Sequence, residues 1–386
     1  MRKKFTIILS LFLLLFAQSL QGCAPQEKEI RIGVIAPITG EIPFVGEATV
    51  NAVELAAQQI NEEGGLVLDG VTHKITLIIE DNQDKEQQAV AVAQKLINQE
   101  DVVAIIGPQA SRNAIPVANV AERAQVPMIS PWSTNPLTTE GKDYVFRVAF
   151  IDSFQGQVMA RFTFEELQSS CETCGNKVAV LYDVASDYNK GIAEIYKEII
   201  ENAGGEVVAF EAYTTGEKDF SAQLQSIKDS GAGVIFLPNY YNEVPLQVRQ
   251  AREMGIEAEF IGSDSWSGIT EANLPDLDGS FFSTHYASDT ANESARAFIE
   301  AYEESYGSVP DDIAALTYDA FGLLMQAIQT QQEATPEAIR TGLASTQSYT
   351  GVTGTMEYRG TGDPIKSAVI LKVEQGKIVF YKEAKP

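Results

Sequence analysis

The sequence predicts an α/β protein made of two lobes, each a doubly wound parallel sheet covered by helices. Strand and helix patterns alternate almost from end to end, which is typical of parallel sheets with helices on both faces. The strand-like runs are nearly all apolar, as strands buried on both faces must be. The length of 386 residues also exceeds what one hydrophobic core usually serves.

The first series of elements covers residues 30–150. Apolar runs predict strands at 30–36, 74–80, 102–106 and 127–130, and helical spacing of apolar residues predicts helices at 47–63, 85–98 and 112–124. The first helix ends at Gly64-Gly65, because glycine readily adopts the conformation that terminates a helix.

The second series repeats the same order, with strands predicted at 177–182, 206–210, 233–237 and 259–261 and helices at 189–202, 220–229 and 244–254. The remainder is less regular. We expect an extended run at 281–287, helices at 292–306 and 311–329, and strands at 354–358 and 368–381, with Gln375-Gly376 turning a hairpin.

Two successive series without a long linker predict lobes that are joined by short crossovers. We place these crossovers near residues 148–152, 282–284 and 363–367, which form a three-segment hinge. Lobe 1 is then predicted to comprise residues 30–150 and 283–365, and lobe 2 residues 151–282 and 366–386.

The N-terminal residues have the layout of a lipoprotein signal peptide. A basic start (Arg2 to Lys4) precedes an apolar run over residues 5–20 and then Leu20-Gln21-Gly22-Cys23. This ending resembles a bacterial lipobox, in which the cysteine becomes the mature N-terminus and carries lipid. We therefore predict that residues 1–22 are removed and that Cys23 is lipidated. A permanent membrane helix, for which the run is short, and a plain cleaved signal are the alternatives.

Residues 23–29 then form a tether that spans at most about 20 Å. The prediction is an extracytoplasmic body, in the periplasm or on the outer cell surface, anchored to the membrane. The net charge of −25 argues against nucleic-acid binding, because such a surface repels phosphates.

The two other cysteines, Cys171 and Cys174, are predicted to form a local disulfide in an oxidising exterior. A zinc half-site would need two further ligands, and the sequence has no second close Cys or His pair. A redox-active pair is the remaining alternative. We predict neither a metal site nor a cofactor.

Candidate binding residues follow two neighbouring strands of lobe 1. In open parallel sheets, ligands bind beyond the carboxyl ends of the strands. The predicted strand at 102–106 leads to Gln109, Ala110 and Ser111. Ser111 is expected to be the N-cap of the next helix, where its hydroxyl and the free amides present donors to an anion. The alternative is that Ser111 only caps that helix.

The next strand leads to Trp132, Ser133 and Thr134, between two prolines. Neighbouring parallel strands place this loop beside the previous one, so hydroxyls and amides from both could share one carboxylate. Otherwise Thr134 is a turn residue and Trp132 a packed aromatic.

Lobe 2 provides a complementary set on loops that also follow strands. Asp264 could pair with a buried ammonium, which is otherwise costly to desolvate. Tyr188 and Tyr240 could close over a ligand as amphipathic lids. The alternatives are an ordinary turn residue and surface tyrosines. A carboxylate site facing an ammonium site describes a zwitterion, which only the closed lobes satisfy fully.

Several stretches of the chain resemble the leucine/isoleucine/valine-binding protein family, the binding components of amino-acid ABC importers. The matching stretches are Ile32-Gly33-Val34-Ile35-Ala36-Pro37 with Thr39-Gly40, Ile60-Asn61-Glu62-Glu63-Gly64-Gly65, residues 84–93, Gly216-Glu217-Lys218-Asp219-Phe220-Ser221, and Arg249-Gln250-Ala251-Arg252. The resemblance implies a type I periplasmic-binding (Venus-flytrap) fold. It also implies a monomer that delivers a small α-amino acid, branched-chain or other neutral or polar, to a permease and ATPase complex.

The resemblance also implies roles for single residues. Ser111 falls where the family binds the ligand carboxylate, Thr134 where it contacts carboxylate and ammonium, and Asp264 where it pairs with the ammonium. Tyr188 and Tyr240 fall on aromatic positions that cover the ligand.

The chain departs from the family's pattern at the side-chain end of the ligand. Trp132, at a position where a loop carbonyl accepts from the ammonium, is bulkier than usual. Gln109 is polar where an apolar residue is common, and Val45 replaces an aromatic. A smaller, flatter or more polar amino acid is therefore an alternative to a branched-chain one.

Other functions are less consistent with the sequence. The only histidines are His73 and His285, and there is no Gly-x-Ser-x-Gly elbow, phosphate loop or zinc signature, so we predict that the protein is not an enzyme. A ligand-sensing lipoprotein is an alternative role. An amide, urea or aromatic acid is an alternative ligand.

Overall fold

The computed structural model describes residues 28–167, 177–290 and 293–386. The predicted signal peptide, the lipidation of Cys23 and the Cys171–Cys174 disulfide lie outside these ranges. Among the residues described, no helix is both long and apolar enough to cross a membrane.

The strands are β1 (Lys28–Ala36), β2 (Leu66–Leu68), β3 (Val71–Asp81), β4 (Ala104–Ile106), β5 (Met128–Ser130), β6 (Val145–Arg147), β7 (Lys177–Asp183), β8 (Glu206–Tyr213), β9 (Val234–Leu237), β10 (Glu259–Gly262), β11 (Phe281–Thr284), β12 (Ser348–Gly351), β13 (Gly354–Tyr358), β14 (Pro364–Ile365), β15 (Ala368–Glu374) and β16 (Lys377–Ala384). Because β1 begins at Lys28, the last two residues assigned to the tether belong to the first strand.

The α-helices are α1 (Pro43–Glu62), α2 (Glu86–Asn98), α3 (Ser111–Ala124), α4 (Asp152–Phe162), α5 (Asp187–Asn202), α6 (Ser221–Ser230), α7 (Val244–Glu253), α8 (Glu293–Tyr306), α9 (Asp312–Gln331) and α10 (Pro336–Ser345). The first predicted helix, 47–63, started four residues late. Residues 43–46 were missed because Pro43, which is favoured in the first turn of a helix, adds nothing to the apolar periodicity.

The first sheet has the order β2-β3-β1-β4-β5-β6. All its neighbours are parallel except β2, which pairs antiparallel with β3 at the edge. Its central strands are apolar and buried on both faces, as the sequence predicted. The carboxyl ends of β4 and β5 lie side by side, so the loops that follow them are neighbours.

The second sheet has the order β16-β15-β11-β10-β9-β7-β8. Strands β7 to β11 are parallel, and the C-terminal hairpin adds β15 and β16 antiparallel to β11. The predicted hairpin turn is present, because Gln375 and Gly376 both have left-handed backbone, with φ of 54° and 71°.

The remaining elements extend the first lobe. Helix α9 packs along α1, α10 packs on α9, and β12 to β14 form a small antiparallel sheet. The chain therefore passes between the two sheets after β6, after β11 and between β14 and β15. Strand β11 stays in the second sheet as far as Thr284, so we place the second crossing after that residue.

The crossing segments pack against each other. His285, just after β11, stacks on Phe150 of the first crossing with ring centroids 3.6 Å apart. Lys366 in the third crossing is buried and donates to the Val148 carbonyl oxygen at 3.3 Å and to Thr353 Oγ1 at 2.6 Å. Burial lowers the pKa of Lys366 to about 8, with the charge of Asp319 opposing this shift.

Candidate functional site

A small cavity lies between the carboxyl ends of the two sheets, with a volume of about 10 Å³. Both lobes form its wall, and every predicted binding residue except Ser133 and Thr134 lines it. The lining residues are Gln109, Ala110, Ser111, Trp132, Tyr188, Tyr240, Asp264 and Ser265. Ser265 was not among the predicted residues.

The loop after β4 is held close to the first sheet by Gly107. Its φ is +93°, and a Cβ at this position would lie 2.2 Å from the Ile35 carbonyl oxygen. Glycine is required there for both reasons, since L-residues rarely adopt this backbone and the space is already filled. The tight approach brings Gln109 and Ala110 onto the cavity wall.

The prediction that Ser111 is an N-cap is wrong. Ala110 holds the N-cap position with extended backbone, and Ser111 is the first residue of α3. The Ser111 hydroxyl is instead 2.9 Å from Ser133 Oγ, which is 2.7 Å from Thr138 Oγ1. Ser133 thus does not line the cavity. Its hydroxyl instead links the loop after β5 to the start of α3.

Thr134 is buried and fixes the start of α4. Its carbonyl oxygen accepts from the Asp152 backbone N–H at 2.9 Å. The Thr134 hydroxyl faces the Asp152 carboxylate, although the geometry between them falls outside that of an ordinary hydrogen bond. Burial raises the pKa of Asp152 to about 7, and the charge of Asp264 adds to this shift, while Thr134 and Arg147 oppose it.

Asp264 is the most heavily contacted acid of the cavity. Its Oδ1 accepts from the Tyr188 hydroxyl at 2.5 Å and from Gln155 Nε2 at 2.9 Å, and its Oδ2 lies 3.4 Å from His285 Nε2. Burial lowers the pKa of His285 to about 4, with Asp264 opposing, so the imidazole is neutral at pH 7.

These carboxylates have no cationic ion-pair partner at neutral pH within the described part of the chain. Asp264 therefore gives the cavity an acidic end that no side chain neutralises, and the buried Asp152 lies close to it without lining the cavity. Such a site favours a bound cation, which would lower the pKa of Asp152.

An aromatic cluster closes the cavity across the lobes. The Tyr240 ring lies 6.0 Å from Trp132 of lobe 1 and 5.6 Å from Tyr188 of lobe 2, measured between centroids. The guanidinium of Arg112, which is paired with Asp84, lies 4.8 Å over the Tyr240 ring. All three rings are buried, so the two tyrosines are not surface residues in this closed arrangement.

Arg147 supports the site and was not predicted. The guanidinium is buried at the end of β6, donates to the carbonyl oxygens of Ser133 and Asn135 at 2.8 Å each, and pairs with Asp363 at 2.7 Å. It thereby holds the loop that carries Thr134. The signal in the sequence was an arginine that ends an apolar strand, since a buried charge needs several partners.

Gln155 was also missed. Its Nε2 donates to Asp264 Oδ1 and, at 3.0 Å, to Ser283 Oγ, so it orients the carboxylate from α4. Nothing in the local sequence distinguishes this glutamine from an exposed helical one.

Two lobes that close over a cavity, with hydroxyls on one wall and uncompensated carboxylates at the other end, define a solute-binding protein. The chain belongs to the periplasmic binding protein family, which it matches over residues 29–377. The predicted family and the predicted two-lobed fold are thereby confirmed.

Particular relatives cover almost the whole chain. It is 32% identical to a leucine binding protein, LivK, from Thermotoga maritima, with a TM-score of 0.84 and coverage of 92% of this chain and 99% of that one. It is also 32% identical to the branched-chain amino acid transporter substrate binding protein LivJ from Streptococcus pneumoniae, solved in complex with isoleucine, with a TM-score of 0.84 and coverage of 93% and 100%.

Among curated sequences, the leucine-, isoleucine-, valine-, threonine-, and alanine-binding protein of Pseudomonas aeruginosa is 29% identical over 343 residues, which is 86% of this chain and 87% of that protein. The family consists of solute-binding proteins that serve importers and work outside the cytoplasm.

Proposed function

We propose that the protein captures a small α-amino acid between its lobes and delivers it to an ABC importer. The observation that carries this proposal is that the cavity has a hydroxyl wall, at Ser111, and an acidic end, at Asp264, with the buried Thr134 and Asp152 close to Asp264. The relatives named above, including one with bound isoleucine, support the same class of ligand.

At one end, the ligand carboxylate would meet donors. Ser111 is the first residue of α3, so the amides of the first turn have no partners within the helix and the positive end of the helix dipole favours an anion. The Ser111 hydroxyl lies in the same wall and can donate, because Ser133 Oγ beside it can accept or donate.

At the other end, the ligand ammonium would meet Asp264 and the Thr134–Asp152 pair. Burying a carboxylate without a partner is costly, and a bound ammonium compensates that cost. Gln155 and Tyr188 both donate to Asp264 Oδ1 and so orient the carboxylate before the ligand arrives.

Binding would close the lobes. The acidic groups belong to lobe 2, with Asp152 on α4 and Asp264 after β10. The hydroxyl wall belongs to lobe 1. Only the closed arrangement therefore contacts both ends of a zwitterion. A ligand stabilises the state to which it binds better, and here that state is the closed one.

The experiment that tests the ligand class combines mass spectrometry of molecules released on denaturation with thermal-shift titration of the amino-acid set. A ligand that binds only folded protein raises the melting temperature as its concentration exceeds Kd. We expect one or a few α-amino acids to be released and to shift melting. Release of an amide, urea or aromatic acid in their place would refute the zwitterion site.

Asp264→Asn tests the acidic end. Loss of one partner of a desolvated charge pair costs about 2 to 5 kcal/mol, so affinity should fall at least about thirtyfold. The control is Asp276→Asn, which removes a partly exposed carboxylate paired with Arg249 outside the cavity. Equal affinities in the two variants, measured by calorimetry, would show that Asp264 does not bind the ammonium.

We further propose that Cys23 anchors a monomeric, extracytoplasmic protein without enzymatic activity, and that Cys171 and Cys174 form a disulfide. The lipobox-like sequence supports the anchor, and the oxidising exterior supports the disulfide. Labelling of cells with a fatty acid should mark the wild type and not Cys23→Ser. Both cysteines should resist alkylation until the purified protein is reduced, and the bound ligand should be recovered unchanged.

A further inference from the structure

We propose that the cavity selects an amino acid with a neutral polar side chain that carries both a hydrogen-bond donor and an acceptor, such as a hydroxyl or a carboxamide. This inference rests on the proposed function, because it concerns the side-chain end of the same site. It is carried by two buried polar atoms without partners on residues that line the cavity, the indole Nε1 of Trp132 and the amide oxygen of Gln109.

The Trp132 indole lines the cavity and is 4% exposed. Its Nε1 has no hydrogen-bond partner among the described residues. The other tryptophan, Trp266, is equally buried, and its Nε1 donates to the Leu237 carbonyl oxygen at 2.9 Å. Of the two buried indole N–H groups, that of Trp266 is thus paired and that of Trp132 is not.

Gln109 is fully buried and lines the same cavity. Its Nε2 donates to Thr49 Oγ1 at 2.8 Å and to Thr317 Oγ1 at 3.2 Å. The Thr49 hydroxyl already donates to the Val45 carbonyl oxygen at 2.7 Å, so toward Gln109 it can only accept. This fixes which amide atom faces Thr49, and leaves Oε1 as the group available to an occupant.

Within the described ranges, Gln109 Oε1 has no donor. The two lining residues therefore hold one unpaired donor and one unpaired acceptor that a ligand side chain could satisfy. A hydroxyl can accept from the indole and donate to the amide oxygen, and a carboxamide can do the same with separate atoms.

Side chains of other kinds fit less well. An aliphatic side chain would leave both wall groups desolvated and unpaired. Polar sites reject such ligands most strongly, because unpaired buried polar groups cost binding free energy. A carboxylate would face the Gln109 oxygen, and an ammonium would face the Trp132 N–H. Each repels one of the two groups.

The test is calorimetric titration of the purified protein with amino-acid pairs of similar shape, namely L-threonine against L-valine, L-asparagine against L-leucine, and L-glutamine against L-methionine. We expect the polar member to bind at least about tenfold more tightly in one or more pairs. Apolar members that bind equally well or better in every pair would overturn this inference and leave the proposed function standing. Failure of all amino acids to bind would overturn both.

Two variants assign the preference to the wall groups. Trp132→Phe keeps an aromatic ring and removes the N–H, and Gln109→Met keeps the length and removes the amide. We expect each to reduce the polar-to-apolar affinity ratio about tenfold. A purely structural role would lower both affinities together and leave the ratio unchanged, which would also overturn the assignment.

Melting temperatures without ligand show that the variants are folded. The wild-type ratios decide the question even if one variant does not fold, because they use the native protein.

Discussion

At the scale of single residues, the site depends on buried charged groups whose partners come from distant parts of the chain. Arg147 holds two loop carbonyls and Asp363, Asp264 is oriented by Gln155 and Tyr188, and Asp152 is buried against Thr134. Asp264, Thr134 and Tyr188 could be found from sequence, because they lie shortly after strands. Partners from distant parts of the chain leave no local pattern.

Arg147→Met should destabilise the protein by about 3 to 5 kcal/mol, because it leaves buried carbonyls and a carboxylate without their partner. The control Arg31→Met removes a partly exposed pair with Glu100 and should cost about 1 kcal/mol or less. Urea unfolding at pH 7 measures both. Similar losses in the two variants would contradict the role given to Arg147.

Asp152 should make stability depend on pH. Its pKa is raised from an ordinary 3.8 to about 7 in the folded protein, so between these values the folded state holds a proton that the unfolded state has lost. Its contribution to the unfolding free energy therefore falls as pH rises from about 4 to about 7, by at most about 1.4 kcal/mol per pH unit.

The Asp152→Asn variant should lack this contribution to the pH dependence of the unfolding free energy. Urea unfolding of ligand-free protein at pH 5, 6 and 7 gives the slope for each chain. Asp276→Asn is the matched control and should keep the wild-type slope. If the slopes of wild type and Asp152→Asn coincide, the burial assigned to this carboxylate is wrong.

At the scale of elements, the sequence predicted long, periodic segments well and short ones poorly. Apart from α4, the helices and parallel strands that frame the cavity are close to their predicted positions, because apolar periodicity reports burial. The pattern missed β2, β6, β12 and β14, which have two to four residues each, too few to show a period. It also missed the helices α4 and α10, which have 11 and 10 residues. It misplaced the start of α3 by one residue, because Ser is common at N-caps and Ala is not.

The loop between β4 and α3 gives a prediction at this scale. Gly107 and Gly204 both have positive φ, 93° and 87°, but a Cβ would clash with backbone only at Gly107. Gly204→Ala should cost about 1 to 2 kcal/mol from backbone strain alone. Gly107→Ala should cost clearly more and should also weaken ligand binding, since it displaces Gln109 and Ala110.

Unfolding curves and ligand titrations of the two variants make the comparison. Equal stability losses would mean that the loop can move away from Ile35 without affecting the site.

At the scale of the whole molecule, the crossings determine how the lobes move. Polar and aromatic contacts cross the cleft, such as Asn135 Nδ2 donating to the Asp187 carbonyl oxygen at 3.0 Å and Phe44 against Tyr241 with centroids 5.8 Å apart. These contacts are small compared with the core of either lobe, so closure should depend on the ligand.

Addition of the amino acid that the protein binds should therefore reduce the radius of gyration of the ligand-free protein, measured by small-angle X-ray scattering. Asp264→Asn at the same ligand concentration should stay at the ligand-free value. A radius that is unchanged by saturating ligand in the wild type would show that the cleft does not close on binding.

The C-terminal hairpin has a consequence for biosynthesis. Strand β15 lies between β11 and β16, so the second sheet is completed only by residues 368–384. A chain that emerges N-terminus first exposes the edge of β11 for the synthesis and export of almost a hundred further residues. A nascent chain that pauses, or that is truncated by a premature stop codon, before β15 therefore keeps the edge of β11 unpaired. Chaperones would bind most strongly at this open edge.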